Sequence, residues 1–359
     1  MQKLTKRTKI VIGVVVVALV VGGLTAEFLT SSAPGDPCAG IVTPTSTVGK
    51  AASPPRSALS QPEASGSHAP STRPAVPRAD SSVSISVVAA ENFWGSLVSQ
   101  LGGNQTNVTS IVTDPNTDPH EYEASATVAQ EISNAQFVVV NGVGYDQWAI
   151  SILQADGNSG QVVLNVGDLN GVSVDGGIVS GNPHMWYNPV YVNATVAAMY
   201  SDLVSIRPSA TAYFQAQYAA LNVSLGQLYG QATAIRDKFA GTVVASTESI
   251  FVYLANFTRL NLVSPPAFME AVAEGNDPPP QSVVQFQCQL ESGHVKVLVF
   301  NEQTVTPVTD NMKSIASSNN VTVIGITETI QPPNYTYQQW MGAEYLELYN
   351  ALNANALGQ

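Results

Sequence analysis

A chain of 359 residues, 37.7 kDa and 45% hydrophobic content is long enough for two domains with sizeable cores, which excludes wholesale disorder. Its 14 Lys+Arg against 26 Asp+Glu give a net charge of −12. Phosphate binding needs clustered Lys and Arg, so a body this acidic excludes nucleic acid as a partner.

The opening stretch MQKLTKRTKIVIGVVVVALVVGGLTAEFL sets Lys3, Lys6, Arg7 and Lys9 before an apolar run from Ile10 to Ala26 that no charge interrupts. Such a segment is an export signal or an N-terminal membrane anchor, and it places the remainder outside the cytoplasmic membrane, either anchored at the cell surface or secreted. Asp36 and Pro37 before Cys38 do not fit a lipidation site, and Cys288, inside a helical pattern, is expected to be an inert buried thiol. Residues 34–82 are rich in Pro, Ser, Ala and Thr and carry no aromatic residue. They cannot bury enough surface to fold, and are expected to form a tether in which His68 is solvated.

From Val83 the texture changes. VSISVVAA (83–90) predicts a strand, NFWGSLVSQLGG a helix with a Gly-Gly stop, VTSIV a strand, SATVAQEISNA a helix, QFVVVNG a strand, YDQWAISILQA a helix and QVVLNV a strand. A helical region then runs from Pro189 to about Ala240, and strands and helices alternate again through TVVAS, SIFVYLANF, PPPQSVVQFQCQLESG, VKVLVFN, VTDNMKSIASS and VTVIGI to a closing helix in NYTYQQWMGAEYLELYNALN. The expected class is α/β: two similar α/β lobes joined by one long helix, with a cleft lined by loops at the carboxyl ends of parallel strands. The expected boundaries are 1–33 for the signal or anchor, 34–82 for the linker, 83–207 for the first lobe, 208–240 for the linking helix and 241–359 for the second lobe.

His120, in TDPNTDPHEYEAS, follows a strand, and Asp118-Pro119 stiffens its turn. Alone, it reads more readily as a surface histidine than as a ligand. His184, in GNPHMWYNP, repeats the Pro-His turn ahead of the long helical region, and two imidazoles held this way begin a transition-metal site. His294 has no such setting and is expected to be a surface residue, while Trp94, Trp148, Trp186 and Trp340 suit a core, with Trp186 able to wall a nearby site from water.

These motifs resemble the zinc- and manganese-binding solute-receptor family of bacterial ABC importers over nearly all of residues 83–359. VVAAENFWGSLVSQLGG is similar to that family's first strand and helix, DPHEYE and NPHMWYNP to its first two ligand loops, STESIFVYLANF to its third, and GITETI to the segment supplying its fourth. The resemblance implies a metal site built from His120, His184, Glu248 and Glu328 in the cleft between the lobes, with an ABC permease in the cytoplasmic membrane as partner. The chain departs from the zinc-binding members at Glu248, where they have His, and at Glu328, where Asp is usual.

Two imidazoles and two carboxylates make a harder donor set than three imidazoles and one carboxylate. The ion expected is therefore Mn2+ ahead of Zn2+, with Fe2+ also compatible, although raw affinity favours zinc. The expected protein is a monomeric, non-enzymatic receptor, tethered to the membrane where the N-terminal segment is uncleaved. The alternative is a secreted zinc-dependent hydrolase with Glu121 or Glu123 as base, for which the chain offers no H-E-x-x-H helix and no G-x-S-x-G elbow.

Overall fold

The structure is a computed structural model that describes Cys38 and residues 84–114, 117, 122–173 and 181–356. The chain divides into Met1–Ala39, of which only Cys38 is described, and Gly40–Gln359, which contains all the elements below. The Ile10–Ala26 run, His68 and the motif residues Asp118, Pro119, His120 and Glu121 lie outside the described residues. Among the described residues, no helix is long and apolar enough to cross a membrane.

The first part of the fold comprises β1 (Ile85–Glu91), α1 (Asn92–Gly102), β2 (Thr106–Val112), α2 (Ala126–Asn134), β3 (Phe137–Val140), α3 (Gln147–Asp156), β4 (Val162–Asn165) and α4 (Val166–Asn170). Two helices follow, α5 (Pro189–Ile206) and α6 (Thr211–Phe239). The last part comprises β5 (Val243–Ser246), α7 (Val252–Thr258), β6 (Asn261–Leu262), α8 (Pro266–Ala273), α9 (Pro280–Glu291), β7 (Val297–Asn301), α10 (Pro307–Ser318), β8 (Thr322–Ile326) and α11 (Tyr337–Ala356).

Each part builds one wholly parallel sheet, in the orders β2-β1-β3-β4 and β6-β5-β7-β8. The strands explain this arrangement. All four residues of β3 are buried and β1 is buried along most of its length, so these strands do not alternate polar with apolar as a half-exposed strand would. Helices must then cover both faces, and every loop leaving a strand's carboxyl end emerges at one edge of its sheet.

The helical region between the sheets breaks where Pro208 restricts its predecessor, and Arg207 takes φ −135° and ψ 79°. Beyond that break, α6 runs for 29 residues, about 43 Å at 1.5 Å per residue. Phe214, Leu221, Leu225, Leu228, Ala232, Ile235 and Phe239 recur on it at spacings of three, four or seven and form a buried seam. That seam belongs to one apolar cluster that also takes in Val87 and Val139 of the first sheet and Val244, Val299 and Ile326 of the second. Phe93 stacks on Trp186 with ring centres 4.1 Å apart, and both are fully buried. The two lobes therefore share a continuous core.

Two features depart from expectation. The short strand β6 and the helix α8 were not anticipated, because Ser-Pro-Pro interrupts the apolar pattern that would have marked them. Cys288 is not an inert thiol: Cys38 and Cys288, the chain's two cysteines, are both disulfide-bonded. A buried helical position is compatible with either state. Disulfides persist outside the reducing cytoplasm, in keeping with an exported chain.

Candidate metal centre

Three of the motif residues meet at the carboxyl ends of the strands. At the end of β5, Ser246 Oγ donates to the Glu248 carbonyl at 2.8 Å and bends the chain so that Glu248 turns inward. Two residues beyond β8 stands Glu328. His184 comes from the other lobe, just before a single turn (Met185–Tyr187) and α5, whose first turn holds Pro189 and is capped by Asn188 accepting from Val190 N at 3.0 Å. His184 Nε2 lies 3.4 Å from Glu248 Oε1 and 3.9 Å from Glu328 Oε1, and all three side chains are fully buried. One ligand atom from each falls within 4.8 Å of the others. Donors about 2.1 Å from a shared ion are roughly 3.0 to 3.4 Å apart, so a first-row ion fits among them once the donor atoms draw closer together.

The imidazole is held in the form that a metal needs. Asn182 Oδ1 accepts from His184 N at 2.9 Å and faces ring Nδ1 at 2.7 Å. An amide oxygen only accepts, so Nδ1 carries the proton, and in the neutral ring the Nε2 lone pair is turned towards the two glutamates. Asn182 is itself fixed: its Nδ2 donates to Ser249 O at 2.7 Å, and its carbonyl accepts from Tyr253 OH at 2.9 Å. Trp186 stands edge-on to the imidazole, ring centres 5.2 Å apart, and closes that side to water.

The carboxylates have their own donors. Gln303 N donates to Asn301 Oδ1 at 2.9 Å, which settles the orientation of the Asn301 amide. Its Nδ2 therefore faces the glutamates, donating to Glu248 Oε2 at 2.7 Å and also to Glu328 Oε1. From the opposite lobe, Tyr145 OH donates to Glu328 Oε2 at 2.7 Å. Gln303 Oε1 accepts from Glu328 N at 2.7 Å and Thr329 N at 2.9 Å, and Gln303 Nε2 donates to Thr117 O at 3.0 Å. Two buried carboxylates side by side are costly to ionise. Neutral donors offset part of that cost, and a divalent cation between them offsets far more.

Three further buried acids brace the site. Asp146 heads α3 but does not cap it; its carboxylate turns back to accept from Asn141 N at 2.6 Å and Gly142 N at 2.8 Å. Burial pushes Asp146 up to about 6 and lifts its hydrogen-bonded neighbour Glu91 well above the usual carboxylate range, the Asp146 charge adding to the second shift. Glu91 therefore supplies a proton to the pair. The loop so pinned presents Tyr145 to Glu328, and Asn141 Nδ2 to Pro183 O at 2.9 Å, next to His184. On the other side, burial pushes Glu344 of α11 up to about 8. Tyr187 OH lies 2.5 Å from Glu344 Oε2 and 2.9 Å from Thr327 O. A hydroxyl has one proton, so both bonds form together when Glu344 donates to Tyr187 and Tyr187 donates to Thr327 O.

His184, Glu248 and Glu328 thus converge, while His120 lies outside the described residues. Glu123 and His294 are exposed. Asn182, Tyr145, Asn301 and Gln303 escaped the sequence reading. Their signals were faint: an Asn two residues before a candidate ligand, and a polar run, Asn-Glu-Gln, at the end of an apolar strand.

The family described as "Zinc-uptake complex component A periplasmic" matches residues 87–351. The manganese-binding lipoprotein MntA of Halalkalibacterium halodurans is 26% identical over 173 residues, covering 45% of this chain and 54% of that protein. The curated relatives are matched over only 24% to 54% of their own length. Among solved structures, the periplasmic zinc-binding protein TroA of Treponema pallidum is similar with a TM-score of 0.64 at 14% identity, over 75% of this chain and 99% of that one. The FpvC protein of Pseudomonas aeruginosa, solved in complex with Mn2+, is similar with a TM-score of 0.62 at 19% identity, over 76% of this chain and 100% of that one. At such identities these two structures establish the fold alone.

Proposed function

The chain belongs to the family of periplasmic zinc-uptake complex components, and from that premise we propose that it is an extracytoplasmic receptor for a divalent transition metal, which it delivers to an ABC importer. The ion is cargo, held by His120, His184, Glu248 and Glu328, and the partner is the importer's membrane permease. The supporting observation is the meeting of one imidazole and two carboxylates from separate loops, all fully buried, with His184 Nε2 at 3.4 and 3.9 Å from the carboxylate oxygens. A site that encloses an ion with four side chains suits capture and release. Hydrolysis would require an open coordination position for water and a base beside it. The export or anchor segment keeps the receptor on the outer side of the membrane.

The proposed cargo is Mn2+ in preference to Zn2+, because two carboxylates harden the donor set, with Fe2+ as the other ion those donors suit. Calorimetric titration of the metal-free full chain with Mn2+, Zn2+ and Fe2+ is expected to give one equivalent bound; no heat with any of them contradicts the receptor reading. Glu248→His restores a third imidazole and is expected to move the zinc-to-manganese affinity ratio towards zinc by about tenfold or more. An unchanged ratio in a competition titration would show that position 248 does not set metal preference.

A further inference from the structure

We propose that Asn182 and Gln303 form a reciprocal latch that couples closure of the two lobes to the geometry of the ligand loops. Each amide divides its two ends between the lobes. Asn182 uses its oxygen on its own side, accepting from His184 N at 2.9 Å and facing Nδ1 at 2.7 Å, and sends its N–H across the cleft to Ser249 O at 2.7 Å, one residue beyond Glu248. Gln303 does the same from the opposite lobe. Its oxygen accepts from Glu328 N at 2.7 Å and Thr329 N at 2.9 Å, and its N–H crosses to Thr117 O at 3.0 Å. One amide ties the His184 loop to the Glu248 loop; the other ties the Glu328 loop to the Thr117 loop. The His184, Glu248 and Glu328 loops and the Thr117 backbone are thus joined in two pairs across the cleft.

The chemistry requires amides. Each position needs an acceptor towards its own loop and a donor towards a backbone carbonyl, and a carboxylate can supply only the first. Asn182 is 2% exposed, so a donor lost there is not replaced by water. The acceptors across the cleft are main-chain carbonyls, which move with their lobes, so an opening cleft breaks both bonds together. An ion drawing His184, Glu248 and Glu328 together favours the arrangement in which both bonds form. Asn182 and Gln303 are therefore positioning residues for closure as well as for His184 and Glu328. What closure is coupled to rests on the receptor reading above; the latch itself does not.

Asn182→Asp and Gln303→Glu each keep the accepting oxygen and replace the crossing N–H by an oxygen that repels the carbonyl. Hydrogen exchange measured by mass spectrometry on the metal-free full chain tests the idea. Asn182→Asp is expected to accelerate exchange about tenfold around Ser249 and also around Thr117 and Glu328, which it does not touch; Gln303→Glu is expected to do the converse at His184 and Ser249. A purely local role would not produce the remote effect. Acceleration confined to the substituted residue's own pair in both variants overturns the latch. Cobalt added to the parental protein is expected to slow exchange at both pairs. A parental protein that takes up no cobalt contradicts the receptor reading, and the metal-free exchange still decides the latch.

Discussion

His184→Ala is expected to lower divalent-metal affinity by about a thousandfold or more. Loss of a partner that merely orients a metal ligand typically costs about 10- to 100-fold, and His184 is proposed as a ligand itself. The variant also leaves Glu248 and Glu328 without the imidazole that lies 3.4 and 3.9 Å from their oxygens in a fully buried site. Isothermal titration reads the loss directly, and thermal unfolding provides an independent check. An ion at a thousand times its Kd stabilises the fold by about 4 kcal/mol, so the metal-dependent rise in Tm should disappear in the variant. A metal-free Tm near the parental value would show that the fold survives. His120→Ala, at the ligand position proposed from the DPHEYE motif, is expected to lose affinity by a similar factor. A parental Kd in either variant would mean that residue is not a ligand.

The second large effect concerns pH. Burial pushes Glu344 up to about 8, whereas an unfolded glutamate titrates near its ordinary value of 4.5. Between those values the folded chain binds more protons than the unfolded chain, so stability falls as pH rises. The stabilisation associated with the protonated group is complete below the unfolded value and is lost as pH climbs through about 8, a difference on the order of 3 to 5 kcal/mol. Glu344→Gln mimics the protonated acid: its oxygen can accept from Thr327 N and its amide can donate to Tyr187 OH, the contacts Glu344 makes now. The variant is expected to match the parent near pH 5 and to exceed it in Tm by several degrees at pH 9. Parallel Tm profiles for the two proteins across that range would contradict the assignment of a protonated Glu344.

The legible part of the molecule was the part written in local pattern. Strands such as Phe137–Val140 are continuous apolar runs, Pro208 marks the break before the long helix, and two Pro-His turns flag candidate ligands without reference to any distant residue. Glu248 and Glu328 were reached only through the order of segments in a known family, because nothing beside them sets them apart from surface acids. The supporting amides were illegible for a different reason: their partners are remote. Tyr145 meets Glu328 across 183 positions, Gln303 meets Thr117 across 186, and Asn182 meets Ser249 across 67. Uncharged polar residues at strand ends look alike until the fold decides which is buried. Asp146 misleads in the same way, since its position before α3 suggests a helix cap, yet its carboxylate turns back to Asn141 and Gly142. The cysteines were misread because burial of Cys288 is equally consistent with a thiol and a disulfide.

The measurement that most directly tests the central claim is X-ray absorption at the metal edge of the full chain loaded with one equivalent of Mn2+ or Zn2+. The account predicts a first shell of nitrogen and oxygen only, at about 2.0 to 2.2 Å, with the outer-shell scattering of two imidazoles, one of which is lost in His184→Ala. A shell lacking imidazole scattering, or one that His184→Ala leaves unchanged, would contradict it.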